Sequence, residues 1–449
     1  MKKTILAQLL IAALVAAPAA HADEAELQRR IDKLAAELEK IKAELAATRQ
    51  KADTAEKKPE AYATAPAPAA PAASAASAAA APVAAPAVAA YETPAAPAAP
   101  QTVLTAYGEI NYNRPTRNAS QAQTDVRRAV IGFQHRFDER TKLVSEFEWE
   151  HAIASSSDQG ETAVEQLYIE REFGLGLRAK AGLFLIPAGL LNENHEPTAY
   201  YGVERNFVET AIIPSTWREA GIGLSKTLEN GLTLEGGVTT GFDLAKWDAT
   251  SSEGRESPLG SIHQEGQLAK SRNLSTYGAL NWRGVPGLLL GGSVFTGKAG
   301  HAATDFAGVD ARVTLWDLHA RYTPGRWDLS GVYAHGRISN TEALNLTFAG
   351  NPTLVPSSFQ GWYAQAAYQL WKAGDYTLLP FVRYERFNTA KRYSAMPEGV
   401  GIAAGPDEQV ATIGANLRIG EGVVLKADYQ KFREDKSRDR VDLGVGFSF

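Results

Sequence analysis

The chain has 449 residues, with 46 Lys and Arg against 51 Asp and Glu, 39 Gly, 22 Pro, two Met and no Cys. This length excludes a miniprotein held by disulfides or a structural metal, and zero Cys excludes thiolate ligands and thiol catalysis. A net charge of −5 argues against nucleic acid as the main partner.

Residues 1–22 place Lys2 and Lys3 before an apolar run from Ile5 to Ala17, followed by Ala20-His21-Ala22. Small residues at the two positions a signal peptidase inspects predict a secretory signal peptide cleaved before Asp23. The apolar run is shorter than the roughly 20 residues that cross a bilayer as a helix.

In residues 23–58 the apolar positions Leu27, Ile31, Leu34, Leu38, Ile41 and Leu45 alternate at four and three residues. That spacing predicts a short coiled coil, and Ile and Leu mixed at both core positions mildly prefers three strands over two. An amphipathic helix packed on the rest of the chain would show the same stripe. Residues 59–101 are dominated by Ala and Pro and contain no Gly, so they bury no core and read as a semi-extended spacer.

Residues 102–449 hold every Trp, and here the period changes to two. Val441, Leu443, Val445, Phe447 and Phe449 alternate with Arg440, Asp442, Gly444, Gly446 and Ser448. Leu177, Ala179, Ala181, Leu183 and Leu185 do the same against Arg178, Lys180 and Gly182. About 16 such runs begin near Val103, Val126, Leu143, Ala163, Leu177, Arg218, Leu232, Ser275, Leu288, Ala311, Trp327, Gln360, Thr377, Gln409, Val423 and Asp439. Lengths near ten residues suit tilted strands that cross a bilayer. Short connections such as 138–141 and 419–422 alternate with long ones such as 192–217, 243–274 and 340–359, as expected of periplasmic turns and outward loops. A soluble sandwich would also alternate, but its outer face would be charged. Here the polar face mixes charge with Gly, Asn and Gln, and aromatics stand near strand ends at Tyr112, Phe137, Trp149, Phe173, Tyr322, Trp371 and Phe387. The expected fold is an all-β transmembrane barrel of about 16 antiparallel strands, preceded by the coiled coil and the Ala/Pro linker.

Three features resemble Gram-negative outer-membrane porins, and within them the phosphate-selective porin O and P family. One is the terminal aromatic Phe449 closing an alternating strand. The second is Ala181-Gly182-Leu183-Phe184-Leu185-Ile186-Pro187-Ala188-Gly189-Leu190, similar to the family's strand ending in a Pro-x-Gly turn, with Ala188 where an aromatic is usual. The third is Val203-Glu204-Arg205-Asn206 leading to Pro214, Arg218, Glu219, Ala220 and Gly221. The resemblance covers the barrel. It implies a homotrimer, loops folded inward at a constriction, recognition of Phe449 by the barrel-assembly machinery, and passage of phosphate or other anions. The family's arginine ladder is not aligned here, so an anion preference rests on the resemblance alone.

The polar face of each strand is expected to line the channel. Its basic residues are Arg128, Arg136, Arg178, Lys180, Arg321, Arg383, Arg418, Lys426 and Arg440. Its acidic residues are Glu109, Glu146, Glu148, Glu150, Asp317, Glu385, Asp428 and Asp442. The two sets nearly balance, which permits a transverse field or simple pairing between neighbouring strands. The segment 192–217 carries Glu193, His195, Glu196, Glu204, Arg205 and Glu209. It is the candidate constriction loop, or else a surface loop touching the next subunit. His195-Glu196 begins like a zinc-protease motif, but the fifth position is Ala199 and Pro197 opposes a helix. With no nucleophile elbow or phosphate loop either, no enzyme, cofactor or metal is expected.

The reading is therefore an outer-membrane porin passing small hydrophilic solutes, embedded in outer-membrane lipid. Its periplasmic coiled coil would hold a trimer together or reach peptidoglycan. The alternatives are an envelope tether whose barrel is an anchor, and a surface adhesin.

Overall fold

The computed structural model describes Ala36 and residues 101–301, 305–398 and 400–449. The expected signal peptide, the coiled-coil positions Leu27, Ile31, Leu34, Leu38, Ile41 and Leu45, and the spacer up to residue 100 lie outside these residues.

The strands are β1 (Gln101–Pro115), β2 (Gln123–Arg136), β3 (Thr141–Glu150), β4 (Thr162–Gly174), β5 (Leu177–Leu185), β6 (Arg218–Thr227), β7 (Leu232–Thr239), β8 (Ser275–Trp282) and β9 (Leu288–Lys298). They continue as β10 (Arg312–Tyr322), β11 (Trp327–Ser339), β12 (Ser358–Tyr368), β13 (Trp371–Ala373), β14 (Tyr376–Arg392), β15 (Glu408–Ile419), β16 (Val423–Phe432) and β17 (Arg440–Ser448). Each pairs antiparallel with its neighbour in sequence, except that β12 and β13 both pair with β14, and β17 returns to β1 with Tyr107 opposite Ser448 and Pro115 opposite Arg440. The short β13 continues the line of β12 against β14, so the sheet closes as a barrel of 16 staves with one extra strand. Phe449 completes the seam by exchanging backbone hydrogen bonds with Ala106 at 2.9 and 3.0 Å. Closure leaves no edge strand with unpaired backbone groups, which is what a hydrocarbon surrounding demands.

Tight turns join the strands at one end, and longer segments join them at the other. The β4–β5 turn holds Leu175 and Gly176 in the left-handed region at φ 52° and 72°, the conformation that matches strand twist in a two-residue hairpin. A Cβ on Gly176 would lie 2.6 Å from the Thr227 carbonyl oxygen.

The alternation sorts side chains as its period requires. Ile222, Leu318, Leu104 and Ile413 stand 63%, 61%, 60% and 59% exposed on the outer face, whereas Glu165, Glu385 and Asp442 are fully buried inside. An exterior this apolar suits lipid, not water. Phe137, Trp149, Phe173, Tyr322 and Trp371 are exposed near strand ends. Phe387 is a correction to the expected aromatic belt: it shares the inward phase of Arg383 and Glu385, is buried, and stacks on Phe207 with ring centroids 5.2 Å apart. Leu185 also leaves the outer face, because β5 ends there against the following segment and both Phe184 and Leu185 are buried.

The interior is not uniformly polar. Towards the loop end, segments 186–217, 240–274, 299–311 and 340–357 contribute to an apolar core against the barrel wall. Trp217 is its centre, stacked on Phe242 at 5.2 Å and edge-on to Phe295 at 4.6 Å. Trp247 adds a hydrogen bond from its indole nitrogen to the Thr353 carbonyl at 3.1 Å.

The outward assignment yields a direct expectation. Ile413→Arg should cost about 2–4 kcal/mol of barrel stability in lipid vesicles. Glu421→Arg, in the exposed 420–422 turn, should stay within about 0.5 kcal/mol. Chemical denaturation of the refolded protein measures both, and equal effects would reverse the assigned face.

Candidate functional site

The segment 186–217 leaves β5 at Pro187, whose missing N–H cannot continue the strand ladder. It folds inside the barrel. Its two ends are clamped by Asn192, which donates from Nδ2 to the carbonyls of Ile186 and Trp217, each at 2.8 Å, and accepts the Trp217 N–H at 2.7 Å. Glu209 gathers the middle. Its buried carboxylate accepts from the backbone N–H groups of Leu190 and Leu191 at 2.5 and 2.7 Å, from Asn206 at 2.8 Å and from Tyr363 on β12 at 2.9 Å. Burial pushes this carboxyl above its ordinary pKa, and the four donors work against that penalty.

Between these anchors the backbone is bonded to the wall. Val203 N–H donates to Asp428 at 2.6 Å, Phe207 N–H to Glu385 at 2.6 Å and Gly202 N–H to Asn416 at 3.3 Å. Gly202 has φ 85°, and a Cβ there would lie 3.2 Å from Phe381 and 3.3 Å from the Asp428 carboxylate. Glycine therefore permits this close approach. Arg383 donates to the Tyr201 carbonyl at 3.1 Å and Arg418 to that of Thr198 at 3.3 Å. The Tyr200 hydroxyl donates to Glu109 at 2.7 Å, and Lys426 Nζ sits 3.5 Å from the Tyr200 ring centroid, a desolvated cation–π contact. Burial first, then the Glu109 charge, raises the Tyr200 hydroxyl well above its usual pKa, so it remains a donor.

The sequence-selected residues fall as follows. Arg128 joins Glu109 at 3.0 Å and Glu148 at 3.4 Å. Lys180 meets Glu235 at 2.7 Å and Glu193 at 4.0 Å, and Arg383 pairs with Glu385 at 2.8 Å. Arg178 lies on the same inner face of β5 and makes no ion pair among the described residues. Glu146 accepts from Gln166 at 2.6 Å. In the inner segment, Glu204 accepts from Asn113 at 3.2 Å. Arg205 crosses the segment's own fold to Ser215, Thr216 and the His195 carbonyl. His195 is buried against Tyr107 at 2.7 Å, and Glu196 is half-buried beside it.

Sequence reasoning missed Glu165 and Tyr107. A bulge between β3 and β4 sets Glu146 opposite Gln166 and Phe147 opposite Val164, so Glu165 has no partner of its own. The signal was present: outward Val164 and Leu167 are three residues apart, a break in the two-residue period that marks a bulge.

The inner segment bounds two kinds of space. Towards the loops lies a cavity of about 1160 Å³, lined by Phe207, Thr210, Arg255, Tyr393 and Arg438 among others. Towards the turns lie adjoining polar clefts that share Glu193, Asn281 and Arg283. One reaches Arg321 and Asp328, and the other Arg178, Lys180 and Glu235.

No known protein-family profile matches the chain. An uncharacterized protein of Aquifex aeolicus is 27% identical over 354 residues, 76% of this chain and 79% of the relative. Among solved structures, Salmonella typhi OmpF, in complex with daunomycin, matches with a TM-score of 0.54 at 16% identity, covering 78% of this chain and 97% of that one. The outer membrane channel DcaP of Acinetobacter baumannii matches with a TM-score of 0.48 at 13% identity, covering 78% and 98%. The fold is that of a porin-type barrel.

If Glu209 gathers the inner segment, Glu209→Ala should release it locally. Each lost hydrogen bond to a charged acceptor is worth about 1.5–3 kcal/mol, so the amides of Leu190 and Leu191 should exchange with solvent about 10–100-fold faster. Hydrogen exchange read by mass spectrometry tests this, and unchanged protection would remove Glu209 from the role.

Proposed function

We propose that the chain is an outer-membrane porin, a passive water-filled channel for small hydrophilic solutes with segment 186–217 as its constriction. The observation that carries this reading is the seating of that segment inside the barrel. Its backbone and side chains are bonded to inward residues of β1, β11, β12, β14, β15 and β16. Solutes would pass between the loop-side cavity and the turn-side clefts along the remaining polar wall.

A lean towards anions such as phosphate follows from which charges are left over. In the turn-side clefts Lys180 serves both Glu235 at 2.7 Å and Glu193 at 4.0 Å, Arg321 occupies Asp328 and Lys142 occupies Glu170, so that among the described residues Glu193 is the one acid there held loosely against two free guanidiniums. Arg178 and Arg283, which line the same space, form no ion pair among the described residues. Unpaired guanidiniums within about 8 Å of a passing ion act on it before salt screens them. The proposal includes trimeric assembly, Phe449 as the signal read by the barrel-assembly machinery, and residues 23–58 as a periplasmic coil that holds the trimer or reaches peptidoglycan.

A second reading, an envelope tether, is favoured by the apolar core that fills part of the loop-side interior. Planar-bilayer recording under a KCl gradient separates them. The porin reading expects conductance steps with an anion-side reversal potential, reduced current on adding phosphate, and a shift towards the cation side in Arg178→Glu combined with Arg283→Glu. A weakly selective current untouched by the double variant would leave a general porin. No steps from correctly folded protein would favour the tether.

A further inference from the structure

Where the inner segment meets β3 and β4, three potential metal ligands converge. His195, Glu165 and Glu146 place one donor atom each within 4.8 Å of the others. His195 Nε2 and Glu165 Oε2 are 3.7 Å apart. Two donors each about 2.1 Å from a zinc ion and separated by the tetrahedral angle lie about 3.4 Å apart, so little movement is needed for both to share an ion.

The surroundings are those of a prepared site. His195 Nδ1 lies 3.0 Å from the Asn192 carbonyl and donates to it, which leaves Nε2 facing the cluster, 2.7 Å from the Tyr107 hydroxyl and 3.7 Å from Glu165 Oε2. An imidazole fixed through its far nitrogen is the usual posture of a ligating histidine. Asn192 is itself locked by its three bonds at the neck of the segment. Gln166 orients Glu146 at 2.6 Å, and the β4 bulge is what brings Gln166 and Glu165 to the interior together.

Charge supplies the independent argument. Glu165 is fully buried; its Oε2 accepts from Tyr107 at 2.6 Å, yet its Oε1 has no hydrogen-bond partner. Arg128 is taken by Glu109 and Glu148. Among the described residues, neither Glu146 nor Glu165 pairs with a lysine or arginine. An oxygen orphaned in so buried a place is costly unless a cation meets it, and the one at hand among the described residues is the imidazole of His195, 3.7 Å from the other oxygen. A proton on His195 would offer one positive charge to two carboxylates, whereas a divalent ion offers two.

We propose that His195, Glu165 and Glu146 bind a divalent transition-metal ion of the zinc type, which staples the inner segment to the β3–β4 wall. One imidazole and two carboxylates suit zinc better than calcium or magnesium, which prefer all-oxygen shells. The Tyr107 hydroxyl, which donates to Glu165 Oε2 at 2.6 Å, would keep that bond to the coordinated carboxylate, while its 2.7 Å contact with His195 Nε2 would give way to the ion.

The test uses the untagged, full-length protein folded in detergent, with zinc alone as the probe, and equilibrium dialysis with metal analysis as the readout. Wild type should hold about one zinc per chain. His195→Ala and Glu165→Gln should lose it, and Gln166→Leu, which keeps all three ligands, should weaken it about 10–100-fold. Heat-modifiable gel mobility identifies any variant that has not folded. Glu146→Gln, a near-isosteric change at a half-buried position, provides a further ligand variant. Equal zinc in wild type and the folded ligand variants, or none in folded wild type at micromolar zinc, would overturn the proposal. Binding is read without any ion current, so failure of this site and failure of the channel reading are separately visible.

Discussion

The structure depends on how a closed barrel satisfies the polar groups of its inner face. Those side chains cannot turn outward, because a one-residue shift in register would carry every one of them to the apolar side. They must be met by water, by one another or by chain folded inside. Segment 186–217 supplies the third answer: its N–H groups at Val203 and Phe207 reach Asp428 and Glu385, and its carbonyls at Thr198 and Tyr201 take Arg418 and Arg383. Backbone dipoles thus offset charges that would otherwise sit buried without partners. The same bonds fix where the segment lies.

This division of labour gives the interior two characters. On the loop side, Trp217, Phe242, Phe295 and Phe359 pack as they would in a soluble core, and apolar burial holds the connecting segments down. On the turn side the walls remain polar, with Glu193, Arg283, Arg321 and Asp328 facing open space. Segment 186–217 belongs to both halves, through Ile212 and Trp217 in the core and through Tyr200 and Tyr201 among the charges. Its position is therefore set by packing and by hydrogen bonding at once, and a change in either should be felt in the other.

The strands were legible because a two-residue period is a local property. The expected starts at Leu177, Arg218, Leu232, Ser275, Leu288, Trp327 and Val423 coincide with those observed. Parity failed where the backbone breaks its own period: the β4 bulge hid Glu165. The same parity puts Phe387 in phase with Arg383 and Glu385, against its expected place among the exposed aromatics. The apolar core was not legible at all. Phe242, Trp247, Leu259 and Ile262 lie in a segment without regular period, and their partners, such as Thr353 and Phe295, are distant in sequence.

Charge is distributed unevenly around the wall, and the unevenness follows from strand order. β1 to β4 bring Glu109, Glu146, Glu148 and Glu165 together with Arg128 in their midst, whereas further round the wall bases and acids pair off, Lys180 with Glu235, Arg321 with Asp328 and Arg383 with Glu385, and Arg178 and Arg283 are left without an ion pair among the described residues. An antiparallel barrel places sequence neighbours side by side, so a cluster of acids in one stretch of sequence becomes an acidic sector of wall. Such sectors act on a solute only where the bore is narrow compared with the screening length, about 8 Å at physiological salt. Segment 186–217 lies inside the barrel, bonded to inward residues of β1, β11, β12, β14, β15 and β16. If it narrows the bore as proposed, the charges it leaves unpaired are the ones a solute would meet.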